Sequence, residues 1–237
     1  MDRSAVLRSL VTNGTATEPA RLAELAGELD LPVADLLVVA GHPVPPELLP
    51  PERDAKVMQE FARRVGECEH DRLAELESYV RSLPHLDAPG PFVQTHRGNW
   101  KPAESGFAAV VNGLIRNRGF GVAELPFMGL SRPTVVAMVQ RWSPAGRNSR
   151  FELCALAGAV GWTWPDLFAI AGEPYDEGYR QSALCRHVGM LFAAAVHLTT
   201  DQLIEATTVA AGMRIKDHER GPGPWQHVCL GWRDDES

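Results

Sequence analysis

Along most of the chain apolar residues recur every three to four positions, the spacing that puts them on one face of an α-helix. Leu22, Leu25, Ala26 and Leu29 form the first clear stripe. Thr17 is placed to cap that helix, and Pro19 falls in its first turn, where a missing N–H has no intrahelical partner to lose. Pro32 opens a shorter helix carrying Leu36, Leu37 and Val39, and Gly41-His42-Pro43 ends it. The pattern predicts two more helices between Glu52 and Leu83, broken near Gly66, with Arg63, Arg64, Glu67 and Glu69 on solvated faces. Residues 84–100 hold three prolines and two glycines and predict a linker. Helices resume near Ala103 and run to about Gly172. A longer one follows from about Tyr179 to Val196, and Thr199 with Gln202 makes a capping box for another that ends near Gly212. From Ile215 the chain is polar, contains Gly221-Pro222-Gly223-Pro224 and predicts a tail, which Trp225 and Trp232 would pack against the body. Strand signals are few, so the expected class is all-α.

The chain contains an internal repeat. Leu22 to Pro43 aligns without a gap on Leu153 to Pro174, with nine of 22 positions identical in the frame L..LAG.......DL...AG.P. Each copy reads as a helix, a turn and a second helix ending in glycine. The shared glycines and the shared Asp35 and Asp166 do not belong to the core periodicity, so chance similarity of two alanine-rich helices does not explain them. With a two-residue change in loop length, Asp2-Arg3-Ser4 falls on Ser131-Arg132-Pro133. The first copy then starts at the third helix of the second, either as a shortened structural remnant or because the natural chain begins further upstream.

Residues 104–172 read as five helices: Glu104 to Asn117, Val122 to Met128, a turn at Gly129-Leu130, then Ser131 to Trp142, and the two helices of the repeat. Gly129-Leu130-Ser131-Arg132, then Thr134-Val135, followed by the repeat frame, resembles the Cro/lambda-repressor (xenobiotic-response-element) type of helix-turn-helix in the form common in high-GC bacteria. The resemblance covers about 104–174 and, shortened, 2–43. It implies a five-helix unit with additional helices, as two domains or one fused bundle. The expected division is 1–83 (truncated helix-turn-helix-like), 84–102 (linker), 103–174 (helix-turn-helix), 175–214 (helical hairpin) and 215–237 (tail).

In that family the third helix lies in the major groove of double-stranded DNA and the protein acts as a dimer, without a cofactor. Carried over, Ser131 and Arg132 open the recognition helix, and Thr134 and Gln140 lie on or near its groove side. Arg pairs with guanine and Gln with adenine. Arg116, Arg118, Arg141, Arg147 and Arg150 are the expected phosphate contacts. Val135, Met138 and Val139 read as core. This chain departs from the pattern in helix two, which is a residue short and carries Pro126. Phe127, Met128, Val136 and Ala137 replace polar or base-reading positions. An apolar cluster of those four suits a partner helix or a small ligand, which is the alternative: a scaffold turned to small-molecule or peptide binding, or to a tailoring reaction in secondary metabolism.

Charge sharpens the first reading. The net is -7, but residues 101–150 hold seven Lys/Arg against two Asp/Glu, while 1–100 hold ten against 16 and 151–237 six against 12. A cationic window matters more than the total, because counterion release is local to the phosphates contacted. The four cysteines are sparse, which argues against a disulfide framework, and the Cys68/His70, Cys185/His187 and His227/Cys229 spacings are not those of a zinc site. No phosphate loop, dinucleotide fingerprint or nucleophile elbow occurs, so an enzyme is the less expected outcome. No apolar run reaches membrane-spanning length and no signal-peptide pattern opens the chain, which sets the expectation of a cytoplasmic protein.

Overall fold

The apolar stripes become helices close to where the spacing puts them. A computed structural model of the chain describes residues 2–86, 103, 105–119, 149–175 and 183–214. Among these residues there are ten α-helices: α1 (Arg3–Asn13), α2 (Pro19–Leu29), α3 (Val33–Val39), α4 (Ala55–Val65), α5 (Leu73–Ser82), α6 (Gly106–Asn117), α7 (Ser149–Val160), α8 (Trp164–Ala171), α9 (Ala183–Ala194) and α10 (Thr200–Gly212). They include no strand, only an isolated bridge between Cys68 and Arg214. The protein is all-α. The expected helix-turn-helix turn and recognition helix lie outside the described residues, as do the predicted linker from residue 87 to 102 and the tail.

Capping follows the sequence with one exception. The Thr199 hydroxyl accepts from the backbone of Gln202, whose side chain accepts in return from the Thr199 N–H, which completes the capping box on α10. Asp2 accepts from the Ala5 N–H at the start of α1. Thr17 does not cap α2: the N-cap is Glu18, without a side-chain bond, and Pro19 occupies the first turn. The backbone of Thr17 is committed elsewhere, with its carbonyl 2.9 Å from His42 Nε2. That contact ties the entry of α2 to the exit of α3.

The stripe of α2 buries Leu22, Leu25, Ala26 and Leu29. Each leucine so buried stabilises the fold by about 1.5–3 kcal/mol. Helices from both sides of the expected linker share one hydrophobic core, running from Leu7 and Leu22 through Phe61, Val111 and Leu114 to Trp164, Phe192 and Leu203. α1 packs on α8, α3 on α6, and α9 lies against both α5 and α7, while α10 packs on α4 and α5. The division at 84–102 therefore does not separate two cores, because the apolar faces of the first copy are covered by the second. Of the two architectures expected, the described helices form the fused bundle. Among them no single helix is long and apolar enough to cross a membrane. The apolar pair α7–α8 is bent by 118° and sits in the core.

The repeat in the sequence is a repeat in the backbone. Asp30 after α2 and Gly161 after α7 occupy equivalent positions and both have positive φ, 50° and 73°. Gly41 after α3 and Gly172 after α8 are likewise left-handed, at 77° and 75°. Each copy thus has the same two turns, one between its helices and one at its exit. Asp at the first of them is tolerated because a short polar side chain adopts this conformation more readily than other non-glycine residues.

Candidate functional site

The residues shared by the two copies without a core-packing reason, Asp35 and Asp166, are where the copies lock together. Asp35 lies in the first turn of α3 and is 0% exposed. A bare carboxylate there would be prohibitively costly, so it must be paired and hydrogen-bonded. It accepts from Arg118 Nη1 at 2.9 Å and Nη2 at 2.6 Å, from Asn117 Nδ2 at 3.0 Å and from Trp162 Nε1 at 2.8 Å. The bidentate guanidinium also donates through Nε and Nη2 to the Val160 carbonyl at the end of α7. Asp166, in the first turn of α8, accepts from Arg3 Nε and from the Thr163 hydroxyl, and pairs with Arg3 Nη2 at 2.8 Å. Arg3 Nη1 donates to the Leu29 carbonyl.

These two sites are one design used twice. Leu29 and Val160 are equivalent in the repeat, as are Asp35 and Asp166. Each arginine grips the end of its own copy's first repeat helix and the aspartate in the other copy's second helix. The copies face each other through two reciprocal Arg–Asp clamps, one sealed and one open to solvent: Arg118 is 2% exposed, whereas the Arg3 side chain is 36% exposed.

This arrangement corrects one expected phosphate contact. Arg118 has its guanidinium inside the protein on Asp35 and Val160 and cannot reach a duplex. It stands next to the end of α6, beside an aspartate that only the other copy supplies, a placement invisible to a reading of the second copy by itself. Arg116, two residues earlier in the last turn of α6, is half-buried rather than sealed, where a cation complements the helix C-terminus. Arg150 falls in the first turn of α7. Ser131, Arg132, Thr134, Gln140, Arg141 and Arg147 lie outside the described residues. So do Phe127, Met128, Val136 and Ala137 of the alternative site, and Val135, Met138 and Val139.

Sequence reading missed both clamps, although it held the signal for them: an aspartate conserved between copies at a position flanked by buried residues requires a cation. It also missed the role of Arg3, whose alignment with Arg132 suggested a recognition-helix position. In the structure α1 instead lies on α8, burying Leu7 and Leu10.

Of the Cys/His pairs considered for metal or nucleophile chemistry, the side chains of Cys68 and His187 are described. Burial pushes the Cys68 thiol up to about 12, and its S–H donates to the carbonyls of Arg64 and Ala210. A thiol so raised is inert as a nucleophile. His187 is exposed, with Nδ1 3.9 Å from Glu77. Among the described residues no three His, Cys, Asp or Glu side chains gather as a metal site would need. A cleft of about 310 Å3 opens where α1 meets the end of α8, lined by Ser4, Arg8, Pro165, Ala169, Glu173 and Tyr175 among others.

The chain matches no protein-family model, and comparison with curated proteins and with solved structures gives no match.

Proposed function

We propose that the chain is a DNA-binding regulator of the helix-turn-helix type, in which the second copy addresses the duplex and the first serves as its built-in structural partner. The observation that carries this reading is the matched pair of clamps. They support reading the sequence repeat as a repeat in space of two helices, which on this reading are the pair that follows a recognition helix. They also hold Arg3, the first copy's counterpart of Arg132, on Asp166 and Leu29. One copy per chain is thereby withdrawn from base reading. A two-fold symmetric operator would take two chains, each offering Ser131, Arg132, Thr134 and Gln140 to a major groove, with Arg141, Arg147 and Arg116 toward the backbone. With Arg118 neutralised internally, the window 101–150 still carries six other Lys/Arg against two acids.

Electrophoretic mobility shift against genomic fragments tests it. Binding is expected at low salt and should weaken steeply as salt rises. Arg132→Ala and Gln140→Ala should each cost about 1–3 kcal/mol on the preferred sequence and relax preference. Arg147→Ala should weaken all sequences alike and lower the salt slope by about 1. Arg3→Ala should leave sequence preference unchanged. The absence of any shift at low salt refutes the proposal.

A second reading, a helix-turn-helix scaffold turned to a small molecule or peptide, draws on the cleft at the α1–α8 junction, where Arg8 and Glu173 flank the apolar Pro165, Ala169 and Tyr175. Ligand-induced thermal stabilisation that is lost in Arg8→Ala, in a protein that binds no DNA, would favour it.

A further inference from the structure

We propose that the stacked rings of His85 and His197 form an acid-released latch that fastens segment 83–86 to the corner between α9 and α10. The two imidazoles lie face to face, with centroids 3.7 Å apart and planes 8° from parallel. His197 ends the short 3-10 turn Ala195–His197 that links α9 to α10, and His85 sits in the exposed stretch that leaves α5. Two further bonds hold the same stretch. The backbone of Leu83 hydrogen-bonds to the His197 ring, and Gln202 Nε2 donates to the Pro84 carbonyl at 2.7 Å. Leu83 packs against the core, and beyond it residues 84–86 are fastened through one titratable ring and one amide.

The surroundings of that ring are cationic. Arg53 is buried beside it, donating to the carbonyls of Ala195 and Val196 and so closing the end of the α9 helix. Burial lowers the Arg53 guanidinium to about 10, which leaves it charged at neutral pH. Arg81 at the end of α5 adds a second positive charge. Of the carboxylates on the neighbouring elements among the described residues, Glu77 offsets Arg81 and none pairs with Arg53. Glu77 is bonded to Arg81, while Asp54 and Asp201 stand exposed at the starts of α4 and α10, Asp54 capping the Lys56 N–H. His197 Nε2 is buried with no hydrogen-bond partner among the described residues. Protonating it would put a charge next to Arg53, in a position closed to water.

The direction of the response follows. Burial first, then His85, Arg53 and Arg81, hold His197 below its ordinary pKa of about 6.5. Released from the stack, the ring regains that ordinary value, so the open form binds the proton more tightly. The latch is therefore closed above about pH 6.5 and weakens as pH falls through that value. With the closed ring held below its ordinary value, one pH unit below that value should shift the opening equilibrium on the order of tenfold.

Hydrogen–deuterium exchange of the full chain, read on peptides spanning 83–86 and corrected for the intrinsic pH dependence of exchange, tests the latch. Protection at pH 8 should fall on the order of tenfold at pH 5.5. The double variant His85→Phe, His197→Gln keeps a ring and a hydrogen-bonding amide but cannot charge, and its protection should be independent of pH. Equal protection of the native chain at both values, or an unchanged pH response in the variant, overturns the proposal. Should the variant not fold, NMR titration of the native histidines decides: His197 titrating at or above the ordinary value overturns it, and below that value supports it.

Discussion

Asp35→Ala should cost about 3–5 kcal/mol of folding stability, the largest loss expected from any single polar substitution in this chain, because it leaves the Arg118 guanidinium buried with no counter-charge. Arg118 is 2% exposed and cannot swing out to water without opening the junction of α3, α6 and α7. The same substitution also strips the acceptor from Asn117 and from the Trp162 indole. Each unsatisfied buried donor costs roughly 1–3 kcal/mol by itself. Urea unfolding measures the effect. The matched substitution in the other clamp, Asp166→Ala, should cost only about 1–2 kcal/mol, since Arg3 is 36% exposed and can be solvated where it stands. Removing both charges together, as Asp35→Leu with Arg118→Met, should recover only part of the loss: the desolvation cost disappears with the attraction, but Asn117 and the Val160 carbonyl still lack their partners. Equal and small losses at Asp35 and Asp166 would mean that the buried clamp does not hold the two copies together.

The contrast between the clamps shows why the sequence could be read so far and no further. Helix positions came from periodicity, a local property: the stripe Leu22, Leu25, Ala26, Leu29 and the capping box at Thr199 and Gln202 lie where spacing and cap chemistry put them. The repeat was also legible, since identity in a fixed frame needs no knowledge of space. What faces what was not legible. Asp35 and Arg118 are 83 residues apart, and Arg3 and Asp166 are 163 apart. Nothing in either local window distinguishes an arginine aimed at a phosphate from one aimed at an aspartate in the other copy. The proline- and glycine-rich stretch after residue 84 carries the composition of a boundary, yet helices on its two sides complete one core. Composition reports how a segment can bend, not whether the halves it joins bury each other. Thr17 failed as a cap for a local reason: α2 starts at Pro19, so Glu18 is the N-cap and the Thr17 hydroxyl stands one residue too early.

Substituting alanine at one repeat glycine and at a glycine facing its counterpart should move stability in opposite directions. Gly27 in α2 and Gly158 in α7 are the same position of the two copies. A Cβ at Gly27 meets nothing within 4 Å, and the residue lies in a helix interior, so Gly27→Ala should stabilise by about 0.5–1 kcal/mol through helix propensity alone. Gly158 is used differently. Its carbonyl lies 2.5 Å from where a Cβ on Gly189 would stand, and Gly161 Cα lies at the same 2.5 Å. Those are backbone atoms and cannot rotate aside, so α9 sits on α7 at a distance that only glycine allows. Gly189→Ala must push the two helices apart, which loosens Leu191 and Phe192 from the core and should cost about 3 kcal/mol, at the upper end for overpacking. In the first copy no helix among the described residues crosses at Gly27, so the shared glycine makes no close approach there. Unfolding free energies of Gly27→Ala and Gly189→Ala under one set of conditions measure this directly: a neutral Gly189→Ala would show that α9 does not rest on α7 at backbone distance, and with it would fall the packing by which the C-terminal hairpin covers the second copy.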